Sequence, residues 1–148
     1  MTPDQFSAAM KRKAKAIEAE IRSAENRTAE EAKGLLVQYS GGPYSLRELA
    51  KMGHPYARRL NGRRLTMYLD PTIINQQSGR FRRSWGKQLC RWNGKQLVVS
   101  VTNSSPEAAF MLGTTKMMPR RIDKRVAEEL RQRHFNRLRS ALRRGLRS

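Results

Sequence analysis

The stretch "WGKQLCRWNGKQLVVSVT", residues 85–102, decides the fold. Two runs rich in tryptophan, leucine and valine flank Asn93-Gly94, a pair that accepts the positive φ of a tight hairpin turn. The pattern predicts strands over 85–92 and 95–102, joined by a type I′ turn at Asn93-Gly94. In the second strand Leu97, Val99 and Val101 occupy alternate positions and so share one face. Trp85 and Trp92 bracket the first strand. They read as core or interface anchors rather than as a base-stacking platform, because no phenylalanine or tyrosine accompanies them on the pair.

On either side of the hairpin the periodicity is helical. Thr2-Pro3-Asp4-Gln5 combines an N-cap threonine, a proline at the first helical position and a glutamine three residues after the cap, the composition of a capping box. Phe6, Met10, Ala14, Ile17, Ile21 and Ala24 then recur at spacings of three and four, a narrow apolar stripe on an otherwise charged rod. The pattern continues through Ala32, Leu35 and Leu36 to about Tyr39, where Ser40-Gly41-Gly42-Pro43 ends it. A second capping box, Ser45-Leu46-Arg47-Glu48, opens a short helix that stops near Gly53. Beyond the hairpin, residues 107–112 suit a short helix or an extended segment closed by Gly113, and 114–119 read as a loop. Ile122, Val126, Leu130, His134, Leu138 and Leu142 repeat every four residues, which predicts a final helix from about Asp123 with one apolar face. The class is therefore α+β: a long N-terminal helix, a small antiparallel sheet with its hairpin at Asn93-Gly94, and a basic amphipathic C-terminal helix. The expected organisation is a helical arm over 1–42 and an α+β unit with its C-terminal helix over 43–148.

Charge narrows the partners. Against 12 acidic residues stand 31 lysines and arginines, a net charge of +19, so the chain seeks anionic surfaces. The excess is uneven: residues 1–78 carry 13 basic and 8 acidic groups, 79–118 carry 7 and 1, and 119–148 carry 11 and 3. With so few carboxylates in the last thirty residues, most of the arginines there cannot be neutralised within their own helix. Arg120, Arg121, Arg131, Arg137 and Arg144 are the candidate contacts to DNA or to an acidic partner. Phe6, Met10, Ile17 and Ile21 on the first helix are candidate subunit contacts.

Several chemistries lack their residues. No glycine-rich phosphate loop, nucleophile elbow or metal-spaced carboxylate cluster occurs, and two histidines with one cysteine form no recognisable zinc pattern. Asp70 before Pro71 reads as a turn residue and Asp123 as a helix cap, and His54, without a second histidine or a convergent carboxylate nearby, reads as structural. The single Cys90 forms no internal disulfide. The expectation is a non-enzyme with no cofactor and no metal. No apolar run approaches the ~20 residues of a membrane span, and the N-terminus lacks the apolar core of a secretion signal, so the chain is expected to be made in the cytosol without a membrane partner.

Three ordered stretches add a resemblance. "SGRFRRSW" at 78–85, "GKQLVVSVTN" at 94–103 and "SPEAAFMLGTTKMMPRR" at 105–121 resemble, in that order, bacteriophage head-to-tail joining proteins of the gene-product-ten-like family, and "YSLRELAKMGHPYARR" at 44–59 is similar to a segment of such phage proteins. Gly113-Thr114 meets the family's Gly-Thr element, and Lys116-Met117-Met118-Pro119 its Lys-Met-Pro loop. Met111-Leu112 stands where the family has glutamate and an aromatic, and Arg120-Arg121-Ile122 where it has proline and phenylalanine. The resemblance implies a small structural α+β virion protein without catalysis, forming a ring in the phage neck between the head connector or stopper and the tail terminator. It implies six- or twelve-fold closure from the symmetries of tail and portal, heterologous contacts around the ring, and non-specific contact with packaged DNA. Gly113, Thr114, Met117 and Met118 would then line a contact with a neighbour. The alternative is a sequence-independent nucleic-acid-binding protein using the basic C-terminal helix.

Overall fold

A computed structural model describes residues 2–42, 47–48, 79–112 and 121–147, with Phe110 described in its backbone alone. In chain order the elements are α1 (Pro3–Tyr39), α2 (Arg80–Arg83), β1 (Trp85–Trp92), β2 (Leu97–Asn103), α3 (Ala108–Leu112) and α4 (Ile122–Arg147). The expected α+β arrangement of long helix, two-stranded antiparallel sheet and basic C-terminal helix is present. Arg47 and Glu48 are helical, inside the segment assigned to a short second helix, the rest of which, with His54 and Asp70, lies outside the described residues.

The local signals act as their chemistry requires. At the start of α1, the Thr2 amide donates to Gln5 Oε1 at 3.0 Å and the Gln5 amide to Thr2 Oγ1 at 3.3 Å, the reciprocal pair of a capping box. At its end the Ser40 amide and hydroxyl both donate to the Leu36 carbonyl, at 3.0 and 2.6 Å, which closes the last turn. The hairpin falls at Asn93-Gly94, but not as a type I′ turn. That turn needs positive φ at both central residues, and only Gly94 (φ 91°) has it. Instead Asn93 to Gln96 form a four-residue connection closed by the Asn93 amide on the Gln96 carbonyl at 3.1 Å. The Asn93 side-chain oxygen accepts from the amides of Lys95 and Gln96 at 3.1 and 3.0 Å, so the asparagine acts through its carboxamide rather than through left-handed backbone.

The chain divides into two compact units. The first comprises residues 1–32, 87–101 and 128–148, the second residues 33–86 and 102–127. In the first, α1 and α4 run antiparallel. Lys13 Nζ reaches the Leu146 carbonyl at 3.3 Å, Arg144 Nε reaches Glu20 at 2.7 Å, and Arg133 and Arg137 both hold Glu31. The approach is close at Gly145, where an added Cβ would lie 2.6 Å from Ile17 Cα. Ala24, Ala29, Leu130 and Ala141 are buried in this unit. The ten residues Pro3 to Arg12 extend past this contact by ~15 Å, and Phe6 and Met10 on them are exposed.

β1 meets a different side of α1. Arg22 donates to the Cys90 carbonyl at 3.3 Å and Asn26 Oδ1 accepts from the Cys90 amide at 2.6 Å. Both backbone groups of Cys90 are thus satisfied by helix side chains on the edge of β1 away from β2, an edge that would otherwise invite pairing with another chain. In the second unit Leu36, Ser40, Phe81, Trp85, Ile122 and Val126 form the core. Phe81 meets Trp85 edge-on at 5.6 Å, and Trp85 Nε1 donates to the buried Ser40 hydroxyl at 2.9 Å, giving the indole N–H the partner that burial demands. The Arg125 guanidinium stacks over Tyr39 at 4.1 Å.

Candidate functional site

The C-terminal helix α4 is where the charge excess and the exposed apolar surface meet. Its buried positions are Ile122, Val126, Leu130, Ala141 and Gly145, with His134 and Arg137 half-buried between them. The steps are four, four, four, three, four and four. The expected run of uninterrupted fours, ending at Leu138 and Leu142, is corrected here. A 3.6-residue helix turns about 40° further with every step of four, so a strict four-residue series winds off the contact face. The face is recovered by the single step of three from His134 to Arg137, and Leu142 is turned outward with 42% of its surface exposed.

The inward side carries an ion-pair ladder to α1. Arg137 and Arg133 grip the two carboxylate oxygens of Glu31, Arg133 also holds Glu129 at 3.2 Å, and Arg144 holds Glu20. Hydrogen bonding from Arg137 holds the Glu31 carboxyl below its ordinary value. Burial opposes that shift, and Arg133 adds to it. His134 sits between Thr28 Oγ1, 3.3 Å from its Nδ1, and Glu25, 3.7 Å from its Nε2.

The outward side is built differently. Phe135, Leu142 and Leu146 are exposed, with Leu138 half-buried beside them, so positions 135, 138, 142 and 146 form a second apolar stripe at helical spacing. Arg131, Arg139 and Arg143 flank it, and no carboxylate among the described residues pairs with any of them. The Arg139 guanidinium lies over the Phe135 ring at 5.0 Å. After Glu129 the chain contains seven arginines and no acidic residue.

The candidate residues therefore separate. Arg137 and Arg144 are engaged by Glu31 and Glu20, whereas Arg121 and Arg131 are exposed and have no carboxylate partner among the described residues. Phe6 and Met10 are exposed, Ile17 is against Gly145, and Ile21 is half-buried. Gly113, Thr114, Met117, Met118 and Arg120 lie outside the described residues. The four-residue periodicity hides the apolar stripe 135–146 as a surface because it places Leu138 and Leu142 on the inward face. The signal that could have revealed it is the small pair Ala141 and Gly145, which suits a close helix contact better than Leu142 does.

Two other places were candidates for chemistry. An open groove of about 740 Å³ between α1 and β1 sets Lys15, Arg22, Arg27 and Lys87 against Glu18 and Glu30. Arg22 pairs with Glu18 at 2.6 Å and Lys87 with Glu30, so half of its cations are already neutralised. Burial pushes the Cys90 thiol up, with Glu25 acting in the same direction, which keeps the sulfur protonated and weakly nucleophilic at neutral pH. Among the described residues no three histidine, cysteine or acidic side chains converge as a metal site, and no helix is long and apolar enough to cross a membrane. No family model matches this chain, and neither do curated proteins or solved structures.

Proposed function

We propose that this chain is a structural protein of a tailed-phage or phage-like particle that assembles in the neck and joins head to tail, without catalysis. The observation that carries the reading is the placement of exposed apolar surface. The seven large exposed apolar side chains among the described residues, Phe6, Met10, Leu89, Trp92, Phe135, Leu142 and Leu146, all belong to the first unit. They occupy three separate elements, the end of α1, β1 and the outward side of α4. A contiguous exposed apolar stripe such as that of positions 135, 142 and 146 marks an interaction surface. A subunit enclosed by different neighbours on different sides, as in a ring with heterologous contacts, needs several such surfaces. The ordered motifs at 78–85, 94–103 and 105–121 support the same reading.

The test is assembly. Purified protein is mixed with filled heads and isolated tails, and joined particles are counted by electron microscopy across a salt series. Joining that depends on the protein and survives moderate salt is expected. A chain that enters neither particle removes the reading. The exposed arginines of α4, which have no carboxylate partner among the described residues, favour a second reading as a phosphate-binding protein, for which affinity for duplex DNA should fall steeply and log-linearly with salt.

A further inference from the structure

We infer that the outward side of α4, with Phe135, Leu138, Leu142 and Leu146 flanked by Arg131, Arg139 and Arg143, is the docking face for an acidic protein that presents an amphipathic helix. The inference rests on the assembly reading and names the chemistry of one partner.

Three observations select this occupant. First, the apolar positions step by three, four and four, the spacing at which one helix offers knobs to another. A phosphate backbone makes no use of three leucines and a phenylalanine in a row, whereas a facing helix buries them. Second, the flanking charges have one sign. The exposed arginines beside the stripe have no carboxylate partner among the described residues, although α1 supplies glutamates to the other side of the same helix. A partner with glutamate or aspartate at its stripe margins meets them with opposite charge and gains specificity and encounter rate from it. Third, the same charge opposes pairing with the α4 of a second copy in this place. A homotypic contact along 130–147 would set arginine against arginine with no acidic residue in the segment to separate them. The Arg139 guanidinium over Phe135 fits an anchor of this kind, since aromatic and arginine side chains dominate protein interfaces.

The test uses the full-length chain and a synthetic helical peptide of about three heptads with leucine at the stripe positions and glutamate at the margins. Its controls are the same peptide with lysine margins, the glutamate peptide with its leucines changed to serine, a short duplex DNA, and phosphatidylserine vesicles. Binding is read by fluorescence anisotropy, or by cosedimentation for vesicles, at moderate salt. The expected result is saturable binding of the acidic leucine peptide alone among the peptides. Phe135→Ser/Leu142→Ser/Leu146→Ser and, separately, Arg131→Gln/Arg139→Gln/Arg143→Gln should each weaken it at least about tenfold, with the helical circular dichroism unchanged. Equal binding of the serine peptide would overturn the inference, because charge alone would then suffice. Binding of DNA or vesicles without the leucine peptide would overturn it in favour of those surfaces. The same two variants in the head-and-tail assay separate the two readings. Joined particles without peptide binding would sink the docking face and keep the neck role, and peptide binding without joined particles would do the reverse.

Discussion

The inward and outward sides of α4 are made of the same residue types and do opposite things. Each has aliphatic side chains at helical spacing and each has arginines. On the inward side Arg133, Arg137 and Arg144 each have a glutamate, and the contact includes small residues. On the outward side no carboxylate among the described residues pairs with Arg131, Arg139 or Arg143, and Phe135, Leu142 and Leu146 face water. A side chain's role in this helix is set by what α1 places opposite it, not by its own chemistry. That difference can be broken from either side by substitution.

The largest effect is expected in the core. Ile122 is fully buried, and Ile122→Ala should cost about 3 kcal/mol through lost burial and the cavity left behind. Leu142→Ala removes a comparable side chain from the exposed side and should change stability by less than about 0.5 kcal/mol. Urea denaturation of both variants measures the contrast directly. Equal losses would mean that Leu142 is buried in solution and that the two sides of α4 are not distinct.

Two glycines make the next comparison. At Gly145 a Cβ would meet the Ile17 backbone at 2.6 Å, so Gly145→Ala forces the helices apart and should cost about 2 kcal/mol by overpacking. Gly34, in α1, has open space where its Cβ would be, so Gly34→Ala should stabilise by about 0.5–1 kcal/mol through helix propensity. Opposite shifts in thermal midpoint are the expected outcome. A stabilising Gly145→Ala would contradict the close helix approach.

These pairs also show how much was legible in the sequence. The capping box at Thr2, the stop at Ser40, the hairpin at Asn93-Gly94 and the existence of α4 depend on contacts within a few residues, and such signals survive without knowledge of the rest of the chain. The turn type failed because the Asn93 carboxamide satisfied the amides that a type I′ backbone would have arranged otherwise. The facing of α4 was not legible because a leucine run advertises burial more loudly than Ala141 and Gly145, while the helix contact needs the small pair. Arg131 and Arg137 are chemically identical in the sequence. Only Glu31, 106 positions from Arg137, distinguishes them. The signal present on α1 was the row Glu20, Ala24, Thr28 and Glu31, small residues between glutamates on one helical face.

That row predicts a modest pH dependence. Because the folded Glu31 carboxyl is held below its ordinary value of 4.5, its contribution is fully present above that value and is lost as pH falls through the folded one. Its ion pairs are partly solvated, with Arg133 half exposed, so Glu31→Gln should cost no more than about 1 kcal/mol at pH 7. Below the folded value the variant and the parent should converge. Urea midpoints measured from pH 7 down to about 3 check both the size and the direction, and a gap between the two proteins that widens with acidification would contradict the assignment.

The smallest effect separates stability from interaction. The Arg139 guanidinium lies over the exposed Phe135 ring, and a solvent-exposed contact of this kind contributes about 0.5 kcal/mol, so Arg139→Gln should leave the denaturation midpoint nearly unchanged. The inward Arg137→Gln removes a partner of Glu31 and Thr28 and should lower the midpoint measurably. If the outward residue acts on partners and the inward one on the fold, the two substitutions must order oppositely in a binding assay and a stability assay. Parallel losses in both assays would show that α4 has one functional side rather than two. The reversal is the sharper result because no single property of arginine, neither its charge nor its length, can produce it; it requires that α1 has already divided the helix into a side for folding and a side for partners.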